Sequence, residues 1–124
     1  MKIYIATPVN GRPEATIEEK RKAAYHRVCN LKEKIRIMYP DAELHSSFDF
    51  DIAPIKSPFE DMPTESEIMG KCVQRVMECD AIFLDDDFMK SRGCKLERDA
   101  ALHYDKYFIF SDDMDIRKRL ERFR

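Results

Sequence analysis

The apolar positions of this chain follow two periods that alternate along its length. Lys2 to Ala6 is a short β-branched and aromatic run that predicts a strand. Thr7-Pro8-Val9-Asn10-Gly11-Arg12-Pro13, with two prolines and a glycine, predicts the loop that closes it. Thr16-Ile17-Glu18-Glu19 then has the form of a capping box, in which the hydroxyl of the first residue accepts from the backbone N–H of the fourth. Behind it Ile17, Ala24, Val28, Leu31, Ile35 and Met38 recur at steps of seven, four and three, one apolar stripe of a long helix that Pro40 terminates. The Lys, Arg and Glu residues of that helix are expected to form a solvated outer face.

Ala42 to Phe48 can form a second, weaker strand. Asp49 to Pro63 carries three prolines and several acids, interleaved with Phe50, Ile52, Ile55 and Phe59. A loop so long in a compact domain is usually functional, and its apolar residues predict that it packs. A second capping box, Thr64-Glu65-Ser66-Glu67, opens a helix through Ile68, Met69, Cys72, Val73, Val76 and Met77. Asp80 to Leu84 is almost wholly apolar, the pattern of a central parallel strand covered on both faces, and Asp85-Asp86-Asp87 ends it. Ser91-Arg92-Gly93 leads into a helix with Leu96, Ala100, Ala101 and Tyr104; Lys106 to Phe110 reads as a fourth strand, and Met114 to Phe123 as a short basic helix.

This order of strands and helices predicts an α/β fold, a three-layer sandwich in which a small parallel sheet of about four strands has helices on both faces. Ligands of such sheets bind at the carboxyl ends of the strands, where the strand order reverses. Three segments are therefore the places to look: the loop after Ala6, the long loop after Phe48, and Asp85 to Gly93.

At 124 residues the chain is expected to be one domain, 1–124. Its basic and acidic residues nearly balance, 22 against 24, which gives no reason to expect a nucleic-acid polymer or an anionic membrane as partner. The sequence holds no apolar run long enough for a membrane span, and the apolar N-terminus is too short for a signal peptide. Cys29, Cys72, Cys79 and Cys94 form no CxxC pair, so they are expected to be reduced thiols in a cytoplasmic protein.

Among candidate chemical groups Glu97 stands out. It shares a helix face with Gly93, Ala100, Ala101 and Tyr104, small or apolar residues that look buried, and a carboxylate placed there needs a partner or a task. It is either a catalytic carboxylate or a rim residue paired with Arg98 or Lys95. Ser91 and Gly93, at a strand-to-helix turn, could cap the helix or leave N–H groups open to an anion. Asp85 to Asp87 reads as a solvated turn rather than a magnesium site. His26, His45 and His103 have no metal-binding spacing, so no metal is expected. No phosphate-binding glycine loop and no GxSxG elbow is present in the sequence.

Three stretches together resemble the nucleoside 2-deoxyribosyltransferases and the related deoxynucleoside 5'-monophosphate N-glycosidases. They are Lys2-Ile3-Tyr4-Ile5-Ala6-Thr7-Pro8-Val9-Asn10-Gly11-Arg12, Glu78-Cys79-Asp80-Ala81-Ile82-Phe83-Leu84, and Ser91-Arg92-Gly93-Cys94-Lys95-Leu96-Glu97 with Ala100 and Ala101. Within that superfamily the chain looks closest to a branch of small bacterial and phage proteins grouped as a domain of unknown function. The resemblance implies a flavodoxin-like sheet and a nucleophilic Glu at Glu97 that attacks the anomeric carbon of a nucleoside or nucleotide. It implies that Tyr4 orients this Glu, and that Ser91 and Gly93 hold the sugar's 5' end or a 5'-phosphate. Pro8, Asn10, Gly11 and Arg12 would line the pocket. It further implies a homo-oligomer and no cofactor. One departure accompanies it: the enzymes carry an Asp in the helix before the central strand, and Cys72 stands at that place here. Asp85 to Asp87, Asp49 or Asp51 are the alternative sources of the missing acid. If none serves, the chain is a slow enzyme or a non-catalytic binder of nucleotide or sugar phosphate.

Overall fold

The computed structural model describes residues 1–9, 15–49, 65–86 and 88–111. Four strands, β1 (Lys2–Ala6), β2 (Glu43–Ser46), β3 (Ala81–Leu84) and β4 (Tyr107–Phe110), pair in the order β2-β1-β3-β4. All three pairings are parallel, with Tyr4 opposite both His45 and Ile82. Three helices are described: α1 (Ile17–Met38), α2 (Glu65–Glu78) and α3 (Arg92–His103). This is the expected α/β architecture, consistent with a flavodoxin-like sandwich. The second capping box, the long loop after Asp49 and the C-terminal basic helix fall wholly or largely outside the described residues.

Parallel strands demand crossovers, and the crossover helices cover the sheet on both faces. On one face Ile3 and Ile5 of β1 and Ala81 and Phe83 of β3 pack with Val28, Leu31 and Ile35 of α1. On the other, Tyr4, Ala6, Ile82 and Leu84 pack with Cys72 and Val76 of α2 and with Cys94 and Ala101 of α3. Consecutive residues of β1 thus serve opposite cores, as the two-residue period of a strand requires.

The long helix starts where its capping box sits. Thr16 is extended and its hydroxyl accepts from the Glu19 N–H at 3.1 Å. Tyr39, the residue before Pro40, caps the other end through its N–H to Ile35 O at 2.7 Å. The apolar stripe is buried at Ala24, Val28, Leu31 and Ile35 but not at its ends, since Ile17 and Met38 are exposed. Truncating Leu31 to Ala would cost about 2–5 kcal/mol. The α1 cations do not all face water, however. Arg27 reaches across to the end of β3, where Asp85 is buried rather than part of a solvated turn. Asp87 lies outside the described residues.

Among the described residues no helix is long and apolar enough to cross a membrane. The thiols are free, three of them buried and Cys29 exposed.

Candidate active site

At the carboxyl ends of β1 and β3, where neighbours of β1 lie on both its sides, a cavity of about 350 Å³ opens. That volume suits a small metabolite. Its polar lining includes Thr7, Ser47, Ser91 and Glu97, and its apolar lining includes Val9, Ile68 and Met69.

Helix α3 brings two of these groups together. Ser91 is extended and buried, and its hydroxyl accepts from the Cys94 N–H at 3.3 Å, so it is an N-cap. The N–H groups of Arg92 and Gly93, in the first turn, have no intrahelical acceptor and carry the positive end of the helix dipole. Space at Gly93 is tight: a Cβ there would lie 3.3 Å from Met69 Sδ of α2, which would have to shift by a few tenths of an ångström. One turn further on, Glu97 lies on the same face and lines the same cavity.

Glu97 is 5% exposed. It is not paired with Arg98, whose guanidinium holds Asp99 at 2.8 Å instead. Burial pushes its carboxyl up to about 8, against a smaller opposing pull from the Tyr4 hydroxyl. Tyr4 is wholly buried and its own ionisation is pushed well up, first by burial and then by Glu97 and Cys72. The phenol and the carboxyl are close enough to influence each other's charge, yet neither Tyr4 Oη nor Glu97 Oε2 has a hydrogen-bond partner of full geometry. Tyr104, placed on the Glu97 face by its spacing, is exposed at the C-cap of α3.

Residues 1–110 match a family model described as "Domain of unknown function (DUF4406)". The chain belongs to that family. No curated protein and no solved structure matches it. The matched span of the DUF4406 chain takes in the whole sheet and every cavity-lining residue.

The structure thus brings Tyr4, Ser91, Gly93 and Glu97 of the sequence-derived set to one place. Pro8 is buried, and its neighbours Thr7 and Val9, not Pro8 itself, line the cavity. Asn10, Gly11 and Arg12 lie outside the described residues. Of the carboxylates weighed as a replacement acid, Asp85 is taken by Arg27. Asp49 accepts from the Ser46 N–H at 3.3 Å and sits 3.2 Å from His45 Nδ1, and Asp51 is outside the described residues. Cys72 does line the cavity and is 2% exposed. Among the described residues no cluster of His, Cys, Asp and Glu could hold a metal ion.

Thr7 and Arg21 were not visible as site residues in the sequence. Both line the cavity, as does Arg92. The only advance signal for Thr7 is a polar residue immediately after the strand end. Arg21 is one cation among many on α1.

Proposed function

We propose that this DUF4406 protein cleaves the N-glycosidic bond of a nucleoside or its 5'-monophosphate, with Glu97 as nucleophile. One observation carries the reading: a buried glutamate with no cationic partner among the described residues lines a metabolite-sized cavity beside the N-terminus of its own helix.

In the proposed step the Glu97 carboxylate attacks the anomeric carbon as the bond from that carbon to the base nitrogen breaks. The bonding pair leaves with the base, which takes up a proton. Water or a second base then takes the sugar and frees the carboxylate. Because its pKa is about 8, Glu97 is roughly one-tenth ionised at pH 7 in the empty site, and positive charge developing on the sugar favours the ionised form. The Tyr4 hydroxyl faces the carboxyl from β1 and orients it. The first-turn N–H groups of α3, with Arg92, suit the sugar's 5' end or a 5'-phosphate.

Release of free base tests the reading. Deoxynucleosides and their 5'-monophosphates would be incubated with the protein, with and without an acceptor base, and separated by chromatography. Product from the parent and none from Glu97→Gln is the expected result. No product from a folded sample over the whole panel would sink it.

A second reading is favoured by Cys72. Among the described lining residues the thiol stands where a leaving-group acid is wanted, and a thiol is a weak donor. Leaving-group protonation typically contributes about 10²–10⁴-fold, so its loss would turn the site into a nucleotide-binding module. Binding without turnover is the outcome that would select it. Either reading includes self-association, which light scattering reads directly.

A further inference from the structure

Three buried side-chain polar atoms among the described residues lack a hydrogen-bond partner: Tyr4 Oη, Thr7 Oγ1 and Glu97 Oε2. They do not scatter through the core. Tyr4 and Thr7 belong to β1 and the residue just past it, Tyr4 influences the ionisation of Glu97, and both Thr7 and Glu97 line the cavity. The Tyr4–Glu97 pair is accounted for by the proposed chemistry. Thr7 is not.

Thr7 is 7% exposed, and its hydroxyl satisfies no backbone or side-chain group among the described residues. A buried hydroxyl without a partner destabilises the fold, whereas valine fills the same volume with no such penalty. The turn does not need the hydroxyl either. The adjoining backbone is held independently, by the Asp85 N–H donating to Ala6 O at 3.1 Å. The hydroxyl is thus left unmet on a residue that lines the cavity, where an entering group would meet it.

We infer that Thr7 is a ligand-binding residue whose hydroxyl hydrogen-bonds a hydroxyl of the sugar seated over Glu97. The partner's chemistry follows from the position. Thr7 lines the cavity from the end of β1 and Glu97 lines it from α3, whose N-terminus offers its positive end from the helix side. An anionic 5' group is served by α3; a neutral donor–acceptor such as a hydroxyl is served by Thr7. A site built around such a bond discriminates strongly against an analogue lacking the hydroxyl, because the protein group is then left unpaired again. The identity of the ligand as a sugar rests on the glycosyl reading above. The assignment of Thr7 to ligand binding does not.

The test uses Thr7→Val and Thr7→Ser in the full chain. Ligand-free thermal unfolding is measured first. Thr7→Val is expected to raise Tm by about 3 °C or more, since it removes an unsatisfied hydroxyl at constant shape. A lower Tm would mean the hydroxyl has a structural partner and would overturn the inference, whatever the protein binds. Calorimetric titration follows with ribonucleoside 5'-monophosphates and their 2'-deoxy and 3'-deoxy counterparts. Thr7→Val should bind about tenfold more weakly than the parent wherever the recognised hydroxyl is present, and Thr7→Ser should restore the affinity. Equal binding by parent and Thr7→Val would also overturn it. Absence of binding by the parent to every member of the panel would count against the glycosyl reading instead, and the unfolding comparison would still decide Thr7.

Discussion

Arg27 of α1 grips Asp85 at the end of β3 with one guanidinium edge, Nη2 donating to Oδ1 at 2.7 Å and Nε to Oδ2 at 3.0 Å. Asp85 is 3% exposed and Arg27 only partly so. The Asp85 carboxylate also accepts from the Asp86 N–H at 2.8 Å. The pair ties the helix on one face of the sheet to the strand end from which the chain runs toward Ser91.

Removing Arg27 would leave the Asp85 carboxylate buried with its main partner gone. Arg27→Ala is expected to lower unfolding free energy by about 2–3 kcal/mol, less than for a fully buried pair because the guanidinium is partly solvated. Arg27→Lys should recover only part, as it cannot form the two-pronged contact. Urea denaturation at neutral pH measures both; an unchanged midpoint for Arg27→Ala would refute the account.

Glu97 makes stability fall as pH rises. Its folded pKa is about 8 and its unfolded value is that of an ordinary glutamate, so between roughly pH 4.5 and 8 the folded state binds the extra proton. The fold carries no penalty from this group below that window and the full penalty above it. Glu97→Gln should therefore match the parent near pH 4 and exceed it by about 2–5 kcal/mol above pH 8. Denaturation curves across that range test it, and a constant offset at every pH would contradict the sign.

In the proposed reaction the same ionisation governs the rate. If Glu97 attacks as a carboxylate, kcat/KM for base release should climb about tenfold per pH unit below 8 and level off above it. A profile flat from pH 6 to 9 would remove Glu97 from the role of nucleophile.

Thiol reactivity should report the core. Cys29 is exposed, whereas Cys72, Cys79 and Cys94 are buried. Burial pushes the Cys79 thiol up to about 11 and the Cys94 thiol up to about 12. A soluble aromatic disulfide at pH 8 should label one thiol quickly in the folded protein and all four in denaturant. Rapid labelling of Cys72 in the native state would show that the cavity opens more widely than described.

Gly70 lies inside α2, exposed, with no heavy atom within 4 Å of the place a Cβ would occupy. Gly70→Ala should stabilise the protein by about 0.5–1 kcal/mol. Chemical denaturation checks it, with a destabilised variant as the contrary result.

The element order and the core face of α1 could be read in advance because period alone determines them; the spacing of Val28, Leu31 and Ile35 allows only one buried face. Glu97 was visible for a related reason, as a carboxylate on a helix face among small residues. The Arg27–Asp85 pair was not, since it joins positions 58 residues apart whose meeting depends on how α1 crosses the sheet. Thr7 was hidden differently: its significance lies in a hydrogen bond that is absent, and no local pattern records an absence. Tyr4 sits in a strand covered on both faces, where every residue after Lys2 is apolar and buried and the period of two leaves no mark.

That strand has a last consequence. Slipping β1 by one residue against β3 would turn Tyr4 toward α1 and present an isoleucine to the carboxyl of Glu97. It would also exchange the contents of the two cores, putting a phenol among the side chains of α1. Misalignment of the candidate site is thereby made as expensive as misfolding, and the meeting of carboxyl and phenol is proofread by the hydrophobic layers themselves.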